Sequence, residues 1–229
     1  MKMERLPKFF ILVFVTTLLM ITMAFISSSP KRVVFLGDSV TQMGAEPGGY
    51  IDLMRGMLKA KNLGGKFDLM GSGIGGNKVY DLYQRLEKDV LSKKPDIVFV
   101  FVGVNDVLHK TWGKDVDAGK FELFYRALIR KVKASGAEVI LCTPAVIGER
   151  TDFSNAHDGD LNKYATIVLG LSKEEKCTLL DLRAMFLKYN LSHNPNNLEQ
   201  GILTTDGVHL NPTGNKLVAD AMMEVLLGR

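Results

Sequence analysis

The chain has 229 residues, of which 46% are hydrophobic and 24% are charged. This composition is typical of globular proteins and the length suits one domain of ordinary size, so a fibrous or wholly disordered chain is excluded. The net charge of +4 is small, and part of the excess lies in the first eight residues. The charge therefore does not indicate binding to nucleic acid.

The first 30 residues differ from the rest of the chain and are predicted to form a separate segment. The run from Phe9 to Ser29 has no charged residue, and its apolar part, residues 9–26, is roughly 18 residues long, enough for a helix to cross a bilayer. A cleaved signal peptide usually has a shorter apolar core, so we favour a transmembrane anchor over a signal, and both over a buried helix. Basic residues before the run predict that residues 31–229 are exported, either membrane-anchored or secreted after cleavage, to the periplasm or outside the cell.

Residues 31–229 alternate between strand-like and helix-like segments, without an internal linker. The strand-like runs are RVVFLG, KFDLM, DIVFVFVG, AEVILCTP and CTLLDL. Because these runs are short and continuously hydrophobic, we expect a parallel sheet that is covered on both faces. The last helix is predicted to begin near Pro212, since proline suits a first helical turn. The predicted fold is α/β, a three-layer α/β/α sandwich around a central parallel sheet of about five strands.

The two cysteines are interpreted as buried apolar residues rather than as a disulfide. Cys142 ends one strand-like run and Cys177 opens the next, so in neighbouring parallel strands their sulfur atoms would lie too far apart to bond. The sequence has no dense cluster of cysteine and histidine, and no metal site is predicted.

Chemically informative residues follow the predicted strands. Ser39 follows the first strand in GDSVTQ, the segment GSGIGGN follows the second, and Asn105 follows the third in GVND. Asp206 and His209 lie near the C-terminus in TDGVHLNPTGN. Ligands of open parallel sheets bind at the carboxyl ends of the strands, where the strand order reverses. The three strand-end segments converge only if the first strand lies between the second and third, which predicts the strand order 2-1-3-4-5.

These residues supply the groups that acyl transfer requires. Ser39 is the candidate nucleophile, His209 the candidate base, and Asp206 the candidate partner that orients the imidazole. The backbone N–H groups of Ser39 and Gly76 and the side-chain amide of Asn105 are the candidate donors to an oxyanion.

The spacing of Gly71, Gly73 and Gly76 also matches the G-x-G-x-x-G of dinucleotide-binding loops. That fingerprint requires an acidic residue at the end of the next strand, about 20 residues on. Asp96 has this spacing but begins the next strand, and the glycines follow the second strand instead of the first. A dinucleotide site is therefore only a remote alternative.

Ordinary structural roles remain open for each candidate residue. Ser39 and Asn105 are compatible with turn residues, with Asp106 as a cap, and the Asp206–His209 pair is compatible with a helix cap or half of a metal site. The remaining histidines are interpreted as surface or loop residues, and Trp112 suits the substrate site and core packing equally well. The unassigned histidines are His109, His157 and His193.

Four sequence blocks together resemble the GDSL/SGNH hydrolases over almost all of residues 33–217. GDSV resembles the nucleophile block with Ser39, GSGIGGN the oxyanion block with Gly76, GVND the block with Asn105, and DGVH the block with Asp206 and His209. Gly71 departs from the pattern, because many members have asparagine there, and we expect this change to alter the support of the loop without abolishing the site.

The resemblance implies a serine esterase that forms an acyl-enzyme intermediate and needs no cofactor. The implied substrates are acyl lipids such as lysophospholipids, acetylated sugars or acyl thioesters. Transfer of the acyl group to a sugar hydroxyl is the alternative reaction. The acyl chain, the alcohol and the oligomeric state are left open by the sequence.

Overall fold

The computed structural model describes residues 29–108 and 117–228. The chain divides into two units, Met1–Pro30 and Lys31–Arg229, and the fold below is that of the second unit. The predicted membrane segment, His109 and Trp112 lie outside the described residues. Within residues 29–108 and 117–228, no helix is both long and apolar enough to span a bilayer.

A parallel sheet forms the centre of the fold, with the strand order β2-β1-β3-β4-β5. This confirms the predicted α/β fold and the predicted order. Gly37 pairs with Gly73 of β2 and with Phe101 of β3, so the carboxyl ends of the three strands lie side by side. The strands are β1 (Lys31–Gly37), β2 (Phe67–Gly73), β3 (Ile97–Phe101), β4 (Glu138–Cys142) and β5 (Thr178–Leu180).

The helices connect the strands and begin at side-chain caps in several cases. Asp38, Asp117, Asp181 and Asn211 each accept a hydrogen bond from a backbone N–H of the first turn that follows them, which satisfies donors left free at a helix start. The α-helices in the described part are α1 (Ser39–Gly44), α2 (Tyr50–Ala60), α3 (Val79–Asp89), α4 (Val104–Leu108), α5 (Ala118–Ala134), α6 (Asp158–Glu174), α7 (Leu182–His193) and α8 (Pro212–Leu227), and a short 3₁₀ helix spans Leu91–Lys93.

Each face of the sheet is covered by its own hydrophobic core. Along β1, Val33 and Phe35 belong to the core shared with α2, α7 and α8, whereas Val34 and Leu36 belong to the core shared with α3, α5 and α6. This alternation follows from the two-residue period of a strand. Burial on both faces explains why the strands are continuously hydrophobic in the sequence.

Two details differ from the sequence prediction. β2 extends through Gly73, so Gly71 and Gly73 belong to the strand and not to a loop, and only the end of the glycine motif turns. Cys142 is buried, but Cys177 is only partly buried, so the prediction that both are core residues is wrong for Cys177; both thiols are free.

Candidate active site

Ser39 begins α1 directly after the turn that leaves β1. Asp38 caps this helix, and its carboxylate accepts a hydrogen bond from the N–H of Val40 at 3.0 Å. A Cβ atom at position 37 would lie 2.1 Å from Oγ1 of Thr41 and 2.4 Å from the carbonyl oxygen of Phe101. Only glycine therefore lets the end of β1 pack this closely against α1 and β3, and Ser39 follows at the edge of the sheet.

The structure brings Ser39, His209 and Asp206 together. Nε2 of His209 lies 2.9 Å from Oγ of Ser39, and Nδ1 of the same ring lies 2.7 Å from Oδ2 of Asp206. An imidazole in this position can take a proton from the hydroxyl while a carboxylate holds its other nitrogen. The 170 residues between Ser39 and His209 show that the fold, and not local sequence, creates this contact.

The environment of Asp206 favours its charged form. Burial raises the pKa of Asp206, but hydrogen bonds from the His209 ring and from the backbone N–H groups of His209 and Val208 outweigh burial and lower the pKa below its ordinary value. The interpretation of Asp206 as a cap of the last helix does not hold, because α8 is capped by Asn211, which accepts from Gly214 at 3.0 Å.

The loop that carries Asp206 and His209 is fixed by the chain that follows β4. The N–H of Gly148 donates to the carbonyl oxygen of Gly207 at 2.9 Å. Next to it, the buried carboxylate of Glu149 accepts from the N–H groups of Ile202 at 2.8 Å and Leu203 at 2.6 Å. A buried carboxylate with two charge-assisted hydrogen bonds makes a rigid support, so the imidazole is held by more than its own loop.

Two of the candidate oxyanion donors, Gly76 and Asn105, follow the neighbouring strands β2 and β3. Gly76 has φ +75°, a conformation that side chains disfavour, and the N–H of the preceding Gly75 donates to Oε1 of Gln42 in α1 at 2.7 Å. Asn105 is 8% exposed, and one hydrogen of its amide reaches the carbonyl oxygen of Asn77 at 3.1 Å. An amide nitrogen carries two hydrogens, so this single bond does not use all of its donor capacity.

Asp38 and Asp106 are buried carboxyl groups beside these candidates. Burial raises the pKa of each to about 7, partly offset for Asp38 by the N–H of Val40 and for Asp106 by the N–H of Val79. Asp106 accepts from Val79 at 3.2 Å, at the start of α3. The predicted capping role of Asp106 is therefore present, but it serves a different helix from the one in which Asn105 lies.

Comparison with known proteins identifies the family. The model of the GDSL-like lipase/acylhydrolase family matches residues 35–217. The chain belongs to this family. The resemblance predicted from the sequence is confirmed, and the chain is a carboxylic ester hydrolase.

Individual relatives agree with this assignment. The esterase is 28% identical over 212 residues to an acetylxylan esterase of Geobacillus stearothermophilus, which covers 85% of this chain and 93% of that protein. It is 54% identical to the solved structure of the acetyl xylan esterase AlAXEase, with a TM-score of 0.84 over 86% of this chain and 100% of that one. It is also 25% identical to an isoamyl acetate-hydrolyzing esterase 1 homolog of Rattus norvegicus over 82% of this chain and 78% of that protein.

Packing explains the glycines that suggested a dinucleotide site. A Cβ atom at Gly73 would lie 2.1 Å from the backbone nitrogen of Gln42, so this glycine lets β2 approach α1. A Cβ atom at Gly71 would lie 2.7 Å from Cβ of Ala45. An asparagine at position 71 would therefore have no room without a shift of the chain at Ala45.

Arg85 of the esterase supports the loop that carries Gly76, and no sequence motif predicts this role. From α3 its guanidinium donates to Oδ1 of Asn77 at 2.7 Å, to the carbonyl oxygen of Gly37 at 2.8 Å and to that of Ser72 at 2.9 Å. It thereby joins the chain beside Gly76 to the chain beside Ser39. In the sequence Arg85 is one charged residue of an amphipathic helix, and the carbonyl groups that it meets carry no side-chain signal.

Two cavities flank the loop that carries the Asp206–His209 pair. One, of about 340 Å³, is lined by Asp206, Gly207 and Val208 on one side and by residues of the loop after β4 on the other. The second, of about 320 Å³, lies between α1 and the start of α8. His157 lines the first cavity, so its interpretation as a loop residue holds but understates its position, whereas His193 is exposed and stacks on Tyr189 with ring centroids 4.0 Å apart.

Proposed function

We propose that the esterase hydrolyses O-acetyl esters of carbohydrates through a Ser39–His209–Asp206 triad and an acyl-enzyme intermediate. The observation that carries this proposal is the continuous set of contacts from Oγ of Ser39 through the imidazole to the carboxylate, at 2.9 and 2.7 Å. Two of the relatives with high coverage are named as acetylxylan esterases, which supports acetyl as the acyl group and a glycan as the alcohol.

The first half of the proposed reaction forms the acyl-enzyme. Oγ of Ser39 attacks the carbonyl carbon as its proton passes to Nε2 of His209, and Asp206 stabilises the imidazolium that results. The carbonyl oxygen becomes an oxyanion that accepts from the N–H groups of Ser39 and Gly76 and from the amide of Asn105. The bond to the sugar oxygen then breaks, and the leaving alkoxide takes the proton from His209.

The second half releases the acid. A water molecule gives its proton to Nε2 of His209 and attacks the acyl carbon of the ester on Ser39. The bond to Oγ breaks, Oγ regains the proton from His209, and acetic acid leaves and ionises in water. Ester and water account for every atom of the cycle, so the proposal requires no metal or organic cofactor.

The experiment compares acyl chains and acceptors in one assay. We expect p-nitrophenyl acetate to give the highest kcat/KM in a series from acetate to octanoate, and acetylated xylo-oligosaccharides to release free acetate. The Ser39→Ala protein is the control for both substrates. Faster cleavage of octanoate would favour a lipid substrate, and acetyl transfer to an added sugar would favour the acyltransferase alternative; either result contradicts the proposal.

We further propose that residues 1–30 hold the domain at a membrane, with residues 31–229 exported. The uncharged run of residues 9–29 supports this placement, because its apolar part is about long enough for a bilayer. The full-length protein is expected in the membrane fraction, and a protein that begins at residue 31 is expected to be soluble and active. A mature N-terminus near residue 30 would instead show cleavage and secretion.

A further inference from the structure

The alcohol side of the substrate needs a binding surface near His209, and the 340 Å³ cavity lies next to the loop that carries this residue. Asp206 lies on its wall and contacts the catalytic imidazole. The opposite wall carries Arg150 and His157, and Arg150 reaches Glu199 of the cavity with Nη2 and Oε2 3.0 Å apart. Leu108, Ile147 and Val208 also line the cavity. It therefore offers both polar and apolar contacts, which suits a small ligand that has polar and apolar faces.

Phe153 lies on the loop that forms this wall, between Arg150 and Ser154, which both line the cavity. Its side chain is 87% exposed, more than that of any other large hydrophobic residue among the described residues. Phe153 is also the aromatic residue among the exposed large hydrophobic residues of the described part. Single exposed apolar residues are normal on a surface. Phe153 also has φ +66°, however, which is a genuine outlier for a bulky side chain.

The loop around Phe153 is braced on both sides. The side chain of Asn155 accepts from the N–H of Arg150 at 3.1 Å and donates to its carbonyl oxygen at 2.7 Å. Oδ1 of Asp152 accepts from the N–H of Ser154 at 3.1 Å, and the N–H of Thr151 donates to Asn197 at 2.7 Å. These contacts fix the backbone on both sides of Phe153 while its ring stays exposed to solvent. A preorganised binding group has these two properties.

We infer that Phe153 and the 340 Å³ cavity form a subsite for a sugar unit of an oligosaccharide, next to the unit that carries the acetyl group. A pyranose ring has a face of C–H groups, which packs on an aromatic ring, and hydroxyl groups at its edge, which hydrogen-bond to charged side chains. Phe153 supplies the first contact, and Arg150, Glu199 and His157 supply the second. This inference rests on the proposed function and adds that the substrate is an oligosaccharide and not a single acetylated sugar.

The test compares an oligosaccharide substrate with one that cannot reach the subsite. In Phe153→Ala, the KM for acetylated xylo-oligosaccharide is expected to rise about 3- to 10-fold, with kcat unchanged and with p-nitrophenyl acetate kinetics within about twofold of wild type. Phe153→Gly should behave like Phe153→Ala, because glycine removes the ring and tolerates the positive φ, and Phe153→Tyr should retain the wild-type KM. Leu123→Ala, at a residue exposed on α5, is the matched control.

A second measurement separates this inference from the proposed function. Unacetylated xylohexaose is expected to inhibit p-nitrophenyl acetate hydrolysis by the wild type, with an inhibition constant about 3- to 10-fold weaker in Phe153→Ala. If the wild type cleaves acetylated oligosaccharides but the two Phe153 variants keep its KM, the subsite is wrong and the function stands. If the wild type releases no acetate from saccharides, the function fails, and absence of inhibition by xylohexaose overturns the subsite as well.

Discussion

The guanidinium of Arg85 donates to the carbonyl oxygen of Gly37 at 2.8 Å, so that α3 is joined to the end of β1 two residues before Ser39. The same side chain holds Asn77 at 2.7 Å, next to Gly76. One partly buried cation therefore connects the chain segments that carry the candidate nucleophile and a candidate oxyanion donor. Because rate depends on sub-ångström placement of such donors, Arg85 is expected to act as a positioning residue.

Replacement of Arg85 by alanine should lower kcat by about 10- to 100-fold with little change in KM, since it loosens transition-state contacts and leaves substrate contacts intact. Loss of hydrogen bonds to two carbonyl groups should also lower the free energy of unfolding by about 1–3 kcal/mol. Kinetics are measured below the thermal midpoint of the variant. Arg130→Ala, at an exposed arginine paired with Glu175, is the control, and an equal fall of kcat in both variants would contradict the positioning role.

Asn105 should contribute to the transition state and little to substrate binding. Asn105→Ala is expected to reduce kcat by about 10²- to 10³-fold at nearly constant KM, the usual effect of losing an oxyanion donor. Asn190→Ala changes another buried asparagine, in α7, and should leave kcat unaltered. Near-normal kcat in a folded Asn105→Ala protein would remove Asn105 from the oxyanion hole.

The sequence predicted the sheet and the convergence of its strand-end residues because both depend on patterns that a linear sequence records. Continuous apolar runs such as residues 97–101 require cover on both faces, and Ser39 and Asn105 follow such runs. The extension of β2 to Gly73 was missed because a glycine-rich segment resembles a loop, and only the close approach of Gln42 shows why glycine is needed in a strand.

The roles of Arg85 and Phe153 could not be predicted, because they depend on main-chain contacts and backbone conformation that side-chain patterns do not record. The partners of Arg85 include the main-chain carbonyl oxygens of Gly37 and Ser72, which any residue would present, so no pair of side chains signals the contact. The backbone of Phe153 adopts a conformation that its residue type disfavours. The local sequence therefore predicts a different backbone conformation at position 153. The hydrogen bonds that brace the loop include one from a residue as distant in sequence as Asn197.

Asp106 should make the stability of the esterase depend on pH. Burial, with some repulsion from Asp38, raises the pKa of Asp106 to about 7 in the folded protein, while Val79 and Lys78 oppose the shift. A raised carboxyl pKa means that the folded state binds the proton more tightly than the unfolded state. The stability associated with this proton is complete below about pH 4 and is lost as the pH rises to about 7.

Asp106→Asn keeps an oxygen that can accept from Val79 and cannot ionise. The thermal midpoint of Asp106→Asn relative to wild type should therefore increase from pH 5 to pH 8, as measured by calorimetry. Asp220→Asn, at an exposed residue paired with Lys216, should show no such trend. A difference between Asp106→Asn and wild type that is constant with pH would show that Asp106 does not titrate in this range.

Asp206 separates a catalytic triad from a Ser39–His209 dyad. In Asp206→Asn the side-chain oxygen can still accept from the N–H groups of Val208 and His209, as Oδ1 does at 3.0 and 2.8 Å, so the loop should remain folded. The amide that replaces Oδ2 carries no negative charge and can donate to Nδ1, which favours the wrong tautomer. In serine proteases this change lowers kcat by about 10⁴-fold.

A smaller loss, about 10- to 10³-fold in kcat, is expected for Asp206→Asn here, because the carboxylate is 53% exposed and water can partly replace its charge. The free energy of unfolding should change by less than about 1 kcal/mol, since the local hydrogen bonds are retained. The measurements are kcat and thermal midpoint for Asp206→Asn, Ser39→Ala and His209→Ala. Loss of activity in all three at unchanged midpoint supports a triad, whereas full activity in Asp206→Asn alone would leave Ser39 and His209 as a dyad, with Asp206 serving only the fold of its loop.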